Sequence, residues 1–268
     1  MRTLPTTAGR ALAAVLMTLA CTAPAQAVGV KYVDFPLRGK KLTLAVYSPT
    51  RPPIGTIVMG SGDVGWVGLG VAMAEFLSDR GYLVIGVNVR QYLSSFNAAK
   101  THLTVTDPPA DFRAMADWLR QEHLLVRPVM LSGVSEGAAL AVLAAADPKN
   151  HDWIDGVVTM GIPAVAELAW KWTDIGSWIT KTDAKEPSFA PYDFVGGIAP
   201  VPFVMLQSTR DEYVPARDYE RCHANANDPK KLVLIDASNH RFTDRRSELQ
   251  RHYLASLDWI QQTRTGLR

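Results

Sequence analysis

Apolar residues in this chain occur in short continuous runs that alternate with helical patterns. The runs at residues 54–59, 82–89 and 155–160 are rich in β-branched side chains, as expected of strands buried on both faces. Helical periodicity lies between them at residues 71–79 and 110–122. This alternation predicts an α/β fold with a mostly parallel sheet and helices on both faces.

The two ends of the chain extend this sheet. Residues 31–37 and 41–47 alternate apolar and polar side chains around Arg38-Gly39-Lys40, which predicts an antiparallel N-terminal hairpin. We expect one domain over residues 28–268, with no internal repeat. In its C-terminal part the alternation predicts strands at residues 202–207 and 231–236 and helices at residues 215–224 and 244–262.

The regular alternation fails between residues 161 and 200. Aromatic side chains there, including Trp170 and Trp178, are interleaved with charges and prolines. We interpret the segment as a cap-like insertion over the strand ends, helical at residues 164–171, whose tryptophans form an apolar wall for a substrate. An ordinary core helix followed by a surface loop is the alternative.

The first 27 residues have the features of a secretory signal. Two arginines precede a short apolar stretch at residues 11–20, and Ala25-Gln26-Ala27 is a small-x-small cleavage sequence. Ten apolar residues are too few to span a bilayer, and no later stretch is long enough. We predict cleavage after Ala27 and a periplasmic or secreted protein, with lipid attachment at Cys21 as the rival interpretation.

Charge and cysteine content exclude several classes of function. Removal of residues 1–27 takes away two arginines and no acid, so the net charge falls from +2 to zero. No run of charge indicates nucleic acid as a partner. Only Cys222 then remains, which excludes an internal disulfide, and the histidines and acids lack metal-ligand spacing. We therefore expect no metal and no cofactor, and interpret Cys222 as a buried bystander.

The most informative stretch is an apolar run that ends in Gly133-Val134-Ser135-Glu136-Gly137 and passes into an alanine-rich helical pattern. Strand, sharp turn and helix are the context of a nucleophile elbow, with Ser135 as nucleophile. Gly133 and Gly137 fit the turn because side chains at these positions would collide with the strand and the helix. The alternative is a plain tight turn.

A serine hydroxyl needs a base and an orienting carboxylate, which in this arrangement follow it in the order acid, histidine. His240 is the one histidine in the last strand-to-helix loop, so we assign it as general base. Asp211 follows the preceding strand and is our choice of acid. Glu212 and Asp236 are its neighbours in the two loops, and a turn or N-cap role for Asp211 is the alternative.

The negative oxygen of an acyl-transfer intermediate needs at least two donors. One should be the backbone N–H of Glu136, directly after the nucleophile, and the other should come from the glycine-rich loop after residues 54–59. We choose Asp63 for the second donor, with Val64 next. The loop lacks the sequence of a phosphate-binding motif.

With these residues in place, the chain resembles the α/β-hydrolase superfamily. Three segments, Ser61 to Trp66, Val87 to Tyr92 and His240 to Phe242, also resemble the bacterial virulence protein VirJ/AcvB family. That resemblance implies a periplasmic hydrolase of an ester, with aminoacylated phospholipid (lysyl-phosphatidylglycerol) as the substrate type. From these segments and the insertion we expect the substrate-binding residues to be Ser61, Gly62, Trp66, Arg90, Tyr92, Trp170 and Trp178.

Glu136 stands where that family favours a bulky apolar residue. An acid beside the nucleophile disfavours a developing oxyanion unless it turns away, meets a substrate ammonium or is neutralised, for which Arg90 is a candidate. An exposed carboxylate at the positive end of a helix is an equally good interpretation.

Three functions remain open. The first is a secreted serine esterase that acts on a small-molecule or lipid ester through an acyl-serine intermediate. The second is a non-catalytic binding or assembly protein on a hydrolase scaffold, which Glu136 keeps open. The third is an amide-cleaving hydrolase with the same site. The oligomeric state does not follow from the sequence.

Overall fold

The computed structural model describes residues 29–97, 102–169 and 187–266, and is built on an eight-stranded sheet. The strands are β1 (Val30–Leu37), β2 (Lys40–Tyr47), β3 (Thr56–Gly60), β4 (Leu83–Val87), β5 (Val129–Val134), β6 (Gly156–Met160), β9 (Phe203–Ser208) and β10 (Lys230–Ile235). They lie in the order β1-β2-β4-β3-β5-β6-β9-β10. The first two form an antiparallel hairpin, β2 also pairs antiparallel to β4, and all other neighbours are parallel.

Helices cover both faces of this sheet. One apolar core lies under α2 (Val89–Ser95), α3 (Asp107–Gln121), α4 (Glu136–Ala146) and α5 (Ala216–Asn225). The other lies under α1 (Leu69–Ser78) and α6 (Arg246–Gly266). The predicted α/β class, the N-terminal hairpin and the two helical layers are therefore confirmed.

The helix that carries the nucleophile is buried almost all round, which accounts for its composition. From Gly137 to Ala145 every residue of α4 is buried, and most of these residues are alanine. Small side chains let the helix lie close to β5 and its neighbours. On the opposite face, the Tyr253 hydroxyl of α6 donates to Ser132 Oγ of β5 at 2.8 Å, which ties the C-terminal helix to the nucleophile's strand.

One strand is shorter than the sequence pattern predicted. We expected it to run over residues 82–89, but β4 ends at Val87 and α2 begins at Val89. The side chain of Asn88 accepts a hydrogen bond from the Gln91 N–H at 3.1 Å and caps the new helix. A side-chain cap here outweighs the β-branched composition.

The described parts of the insertion, residues 161–169 and 187–200, pack against the apolar core. Short strands β7 (Ala166–Glu167) and β8 (Ser188–Phe189) pair antiparallel, and Phe189 joins the core beside α4. The helix predicted over residues 164–171 is therefore wrong for residues 164–169, because pairing with a distant strand overrides the local periodicity. Trp170 and Trp178 lie outside the described residues.

Candidate active site

Ser135 occupies a strained turn between β5 and α4. Its backbone has φ 52° and ψ −119°, a conformation that L-residues rarely adopt, and it stands at the N-cap of α4. A Cβ at Gly133 would lie 2.1 Å from the carbonyl carbon of Gly137, so the turn excludes any side chain there. The predicted elbow geometry is present.

The glycine-rich loop after β3 packs directly on this elbow. A Cβ added at Gly137 would lie 2.4 Å from the carbonyl carbon of Gly60, and one added at Gly60 would lie 2.8 Å from Gly137 Cα. A Cβ added at Gly62 would lie 3.7 Å from Ser135 Cβ. The absence of side chains therefore brings the backbone of the loop up to the nucleophile.

His240 and Asp211 form a buried pair in the loops after β10 and β9. The His240 Nδ1 and Asp211 Oδ2 atoms are 2.6 Å apart, and the two side chains are 9% and 0% exposed. The other oxygen of Asp211 accepts from the backbone N–H groups of Tyr213 and Val214 at 2.9 and 3.0 Å. The turn role considered for Asp211 is therefore present as well. One oxygen of the carboxylate binds the turn and the other binds His240.

Two polar residues that the sequence analysis did not select complete this pair. Gln207, fully buried in β9, donates through Nε2 to Asp211 Oδ2 at 2.8 Å. Glu212 accepts the backbone N–H of His240 at 2.7 Å. A glutamine in an otherwise apolar strand, four residues before the acid, was the signal that could have identified Gln207.

The His240 ring packs against Gly161, next to the residue that binds Ser135. Gly161 follows β6 with φ +64°, and a Cβ on it would lie 2.6 Å from His240 Cε1. The residue before it, Met160, accepts the Ser135 N–H at 3.0 Å. Histidine and serine thus flank the same short segment, although no hydrogen bond joins them within the described part of the chain.

Two further carboxylates surround Ser135. Glu136 has a buried Oε2 without a hydrogen-bond partner among the described residues, while the residue as a whole is partly exposed. Burial, and next the charge of Asp63, raise the pKa of Glu136, whereas contacts with the Ser135 side chain and its own backbone N–H lower it. Burial also raises the pKa of Asp63, against the opposing charges of Arg241 and His240. The site is acidic, and the cation near Asp63 is Arg241.

Two predicted substrate-binding residues have structural roles instead. Ser61 is 1% exposed and its hydroxyl donates to the Gly62 carbonyl and accepts the Val89 N–H, so it holds the glycine loop against α2. Tyr92 is 2% exposed and donates its hydroxyl to Asp111 at 2.7 Å. Their side chains are used within the protein, which corrects our expectation for both.

Trp66 has contacts within the protein too, but it is partly exposed, so its contact with substrate stays a prediction. Its indole covers Gly86 of β4, where a Cβ would lie 2.1 Å from the ring, and its N–H donates to the Tyr47 hydroxyl at 3.1 Å. Gly62 does lie beside the nucleophile, and Arg90 lies at the edge of the same loop, with its Cβ 3.7 Å from a Cβ added at Gly65. Both stay candidates for substrate contact.

The described residues contain no cluster of histidine, cysteine or acidic side chains that could hold a metal ion. They also contain no helix that is both long and apolar enough to cross a bilayer.

The sheet order, the elbow and the histidine–aspartate pair define an α/β-hydrolase scaffold. The chain belongs to the bacterial virulence protein (VirJ) family, whose profile matches residues 55–258.

Solved α/β-hydrolases share the fold at low sequence identity. A putative dienelactone hydrolase from Klebsiella pneumoniae is 16% identical with a TM-score of 0.66, over 88% of this chain and 99% of that one. The esterase domain of a Rhodothermus marinus protein is 18% identical with a TM-score of 0.58, over 83% and 95%. Est1E from Butyrivibrio proteoclasticus is 17% identical with a TM-score of 0.61, over 88% and 99%.

Among curated sequences, the uncharacterized protein YfhR of Escherichia coli O157:H7 is 23% identical over 73 residues. The match spans 26% of this chain and 26% of that relative. It therefore relates a quarter of each protein and adds nothing on substrate.

Proposed function

We propose that this protein is a serine hydrolase that cleaves a carboxylic ester through an acyl-serine intermediate. The observation that carries the proposal is the strained elbow at Ser135, packed on a glycine loop and flanked by a buried histidine–aspartate pair. Sharing a fold with esterases does not fix an activity, whereas this combination of nucleophile, base and orienting acid has one main chemical use.

The hydrogen bond between His240 and Asp211 sets the tautomer of the imidazole. With Nδ1 hydrogen-bonded to a buried carboxylate, Nδ1 carries the proton and Nε2 is left as the acceptor. In the proposed reaction Nε2 takes the Ser135 proton as Oγ bonds to the ester carbonyl carbon. The imidazolium then returns that proton to the departing alcohol, and a water molecule repeats the cycle to release the acid.

The oxyanion formed in each half-reaction needs preorganised donors. We propose the backbone N–H groups of Glu136 and Asp63, because the first opens α4 beside the nucleophile and the second follows Gly62, which adjoins Ser135. The positive end of α4 supports the same charge.

The substrate we infer is an ester whose acyl part carries an ammonium group, of which an aminoacylated lipid is an example. The acidic pair Asp63 and Glu136 supports this class, because burial raises the pKa of both carboxylates and a nearby cation would favour their charged forms. Asp63→Asn should then lower kcat/KM for the p-nitrophenyl ester of lysine about tenfold more than for the hexanoyl ester of the same alcohol. Equal losses on both esters would exclude cation recognition by Asp63.

We also propose that the protein is exported and that residues 1–27 are removed. Intact mass spectrometry of the protein recovered from the periplasmic fraction should give a chain that begins at Val28. A chain that retains residues 1–27, or that is lipid-modified at Cys21, would contradict this.

Ester turnover by purified protein tests the activity itself. We expect p-nitrophenyl acetate hydrolysis to fall by four to six orders of magnitude, roughly, in Ser135→Ala, as in other triad enzymes. Ser247→Ala changes an exposed serine and should be as active as the wild type. Parallel turnover of a matched ester and amide separates an esterase from an amide-cleaving enzyme.

The second candidate is a non-catalytic binding protein on the same scaffold. It is favoured by the carboxylate of Glu136 beside Ser135 and by the lack of a hydrogen bond from Ser135 to His240 among the described residues. If folded protein does not hydrolyse any ester while Ser135→Ala keeps the biological phenotype, this candidate replaces the first.

A further inference from the structure

Tyr213 is an exposed aromatic residue that packs against the proposed base. Its ring is nearly perpendicular to the His240 imidazole, with an interplanar angle of 86° and 5.5 Å between the ring centroids. The imidazole is buried, whereas Tyr213 is 52% exposed, so the tyrosine is the member of the pair that faces solvent. The proposed reaction gives this ring no part, although it lies against the residue that moves the proton.

One carboxylate fixes both the tyrosine and the imidazole. The backbone N–H of Tyr213 donates to Asp211 Oδ1 at 2.9 Å, while His240 Nδ1 is bonded to Oδ2 of the same side chain. The next residue, Val214, also donates to Oδ1 and is itself buried. The backbone of the turn therefore sets the place of the aromatic ring beside the base, and a change of the Tyr213 side chain leaves these hydrogen bonds in place.

A second segment that contacts the imidazole also presents an apolar side chain to solvent. A Cβ on Gly161 would lie 2.6 Å from His240 Cε1, so this glycine packs against the ring. Val165, which follows on the same segment, is 57% exposed. The two segments begin where the neighbouring parallel strands β6 and β9 end, so each carries an exposed apolar residue at the edge of the sheet that holds the base.

We propose that Tyr213 forms a binding site for the leaving alcohol of the substrate, and that the part of this alcohol next to the ester is apolar. This rests on the proposed hydrolase function. During acylation Ser135 Oγ bonds to the carbonyl carbon, the bond from that carbon to the alcohol oxygen breaks, and His240 Nε2 passes the serine proton to the departing oxygen. That oxygen has to come within about 3 Å of Nε2, so the first carbons of the alcohol lie beside the imidazole, against which Tyr213 packs.

A half-exposed aromatic ring favours an apolar alcohol over a polar one. Contact with an alkyl or aryl chain removes apolar surface of both partners from water, whereas a hydrated group gains little from such burial. Tyr213 is therefore a specificity-determining residue for the alcohol. Its role is separate from that of Asp63 and Glu136, whose carboxylates are proposed to select the acyl part.

The experiment compares ethyl acetate with hexyl acetate as substrates of the purified protein and of Tyr213→Ala. Both esters form the same acetyl-serine, so a difference in kcat/KM between them reports only on the step in which the alcohol leaves. We expect the wild type to prefer hexyl acetate about tenfold and Tyr213→Ala to prefer it about twofold or less, with the change mainly in KM. Tyr213→Phe keeps the ring and should keep the preference. Tyr32→Ala, which removes an exposed tyrosine of β1, is the matched control and should behave like the wild type.

The ratio of the two esters separates this inference from the hydrolase proposal. A general loss of activity through a displaced His240 affects both esters equally and cancels in the ratio. If the wild type cleaves acetate esters through Ser135 without preferring hexyl acetate, or if the preference persists in Tyr213→Ala, the alcohol site is overturned and the hydrolase is left intact. Loss of the preference in Tyr213→Phe would also overturn an apolar site. A wild type that hydrolyses no ester overturns both proposals. If Tyr213→Ala does not fold, Tyr213→Gln, which replaces the ring with a polar chain, decides by the same ratio.

Discussion

The Asp211 carboxylate receives a donor at every position it offers. Tyr213 and Val214 bond to Oδ1, while Gln207 and His240 bond to Oδ2. Fixed at both oxygens, the carboxylate cannot turn, and it holds the imidazole in one tautomer and orientation. Gln207 thus acts on the reaction through Asp211, as a positioning residue.

Gln207→Leu tests this role at the residue scale. Without its donor, the carboxylate should hold the imidazole less firmly, and we expect kcat for ester hydrolysis to fall about tenfold with KM unchanged. The Gln207 Oε1 is buried without a partner among the described residues, so loss of this amide should have little effect on the melting temperature.

A contrasting variant distinguishes positioning from packing. Gln207→Glu keeps the shape but places a second carboxylate against Asp211, so activity should fall further than in Gln207→Leu and recover partly as the pH is lowered. Wild-type kcat in Gln207→Leu would show that Asp211 needs no help from this side chain.

At the scale of elements, Gly161 links β6 to the site. It is the first residue after β6, its φ is positive, and the His240 ring packs against it. Alanine there would place a methyl group 2.6 Å from Cε1, so the imidazole has to move. A displacement of about 1 Å at a catalytic group can cost roughly a hundredfold in rate.

We therefore predict that Gly161→Ala loses about two orders of magnitude in kcat/KM. It should also lose about 1–2 kcal/mol of unfolding free energy, the cost of a left-handed alanine. Gly39→Ala is the matched control, because Gly39 has φ +73° and open space around its Cβ position. Equal, near-wild-type activity in both variants would exclude the steric role of Gly161.

The sequence predicted elements well where their pattern was local. The elbow, the hairpin and the order of acid and histidine follow from glycine spacing and from strand-to-helix alternation. The end of β4 and the strand β7 were missed because a side-chain cap and a distant strand partner decide them. Ser61 and Tyr92 were misassigned for the same reason: their partners Val89 and Asp111 are apparent only once the chain is folded.

At the scale of the whole molecule, the sheet brings loops together that are far apart in sequence. Parallel strands β3, β5, β6, β9 and β10 all end at one edge, so the glycine loop, the elbow, Gly161 and the acid and base loops meet there. Sequence could predict this edge, but not the bond from Gln207 to Asp211 or the close approach of the His240 ring to Gly161.

The packing of the whole molecule also predicts how its buried thiol reacts before and after unfolding. Cys222 lies on the buried face of α5, and burial raises the pKa of its thiol to about 12. A disulfide reagent should therefore leave the native chain that begins at Val28 unmodified and should label one thiol per chain in guanidinium chloride. Rapid stoichiometric labelling of native protein would contradict the packing of this face.

The most direct measurement is the site and dependence of covalent labelling by a fluorophosphonate, read by peptide mass spectrometry. The account predicts one adduct, on Ser135, that is absent in Ser135→Ala and slower by several orders of magnitude in folded His240→Gln. Folded wild-type protein without an adduct, or with an adduct on another residue, would contradict it.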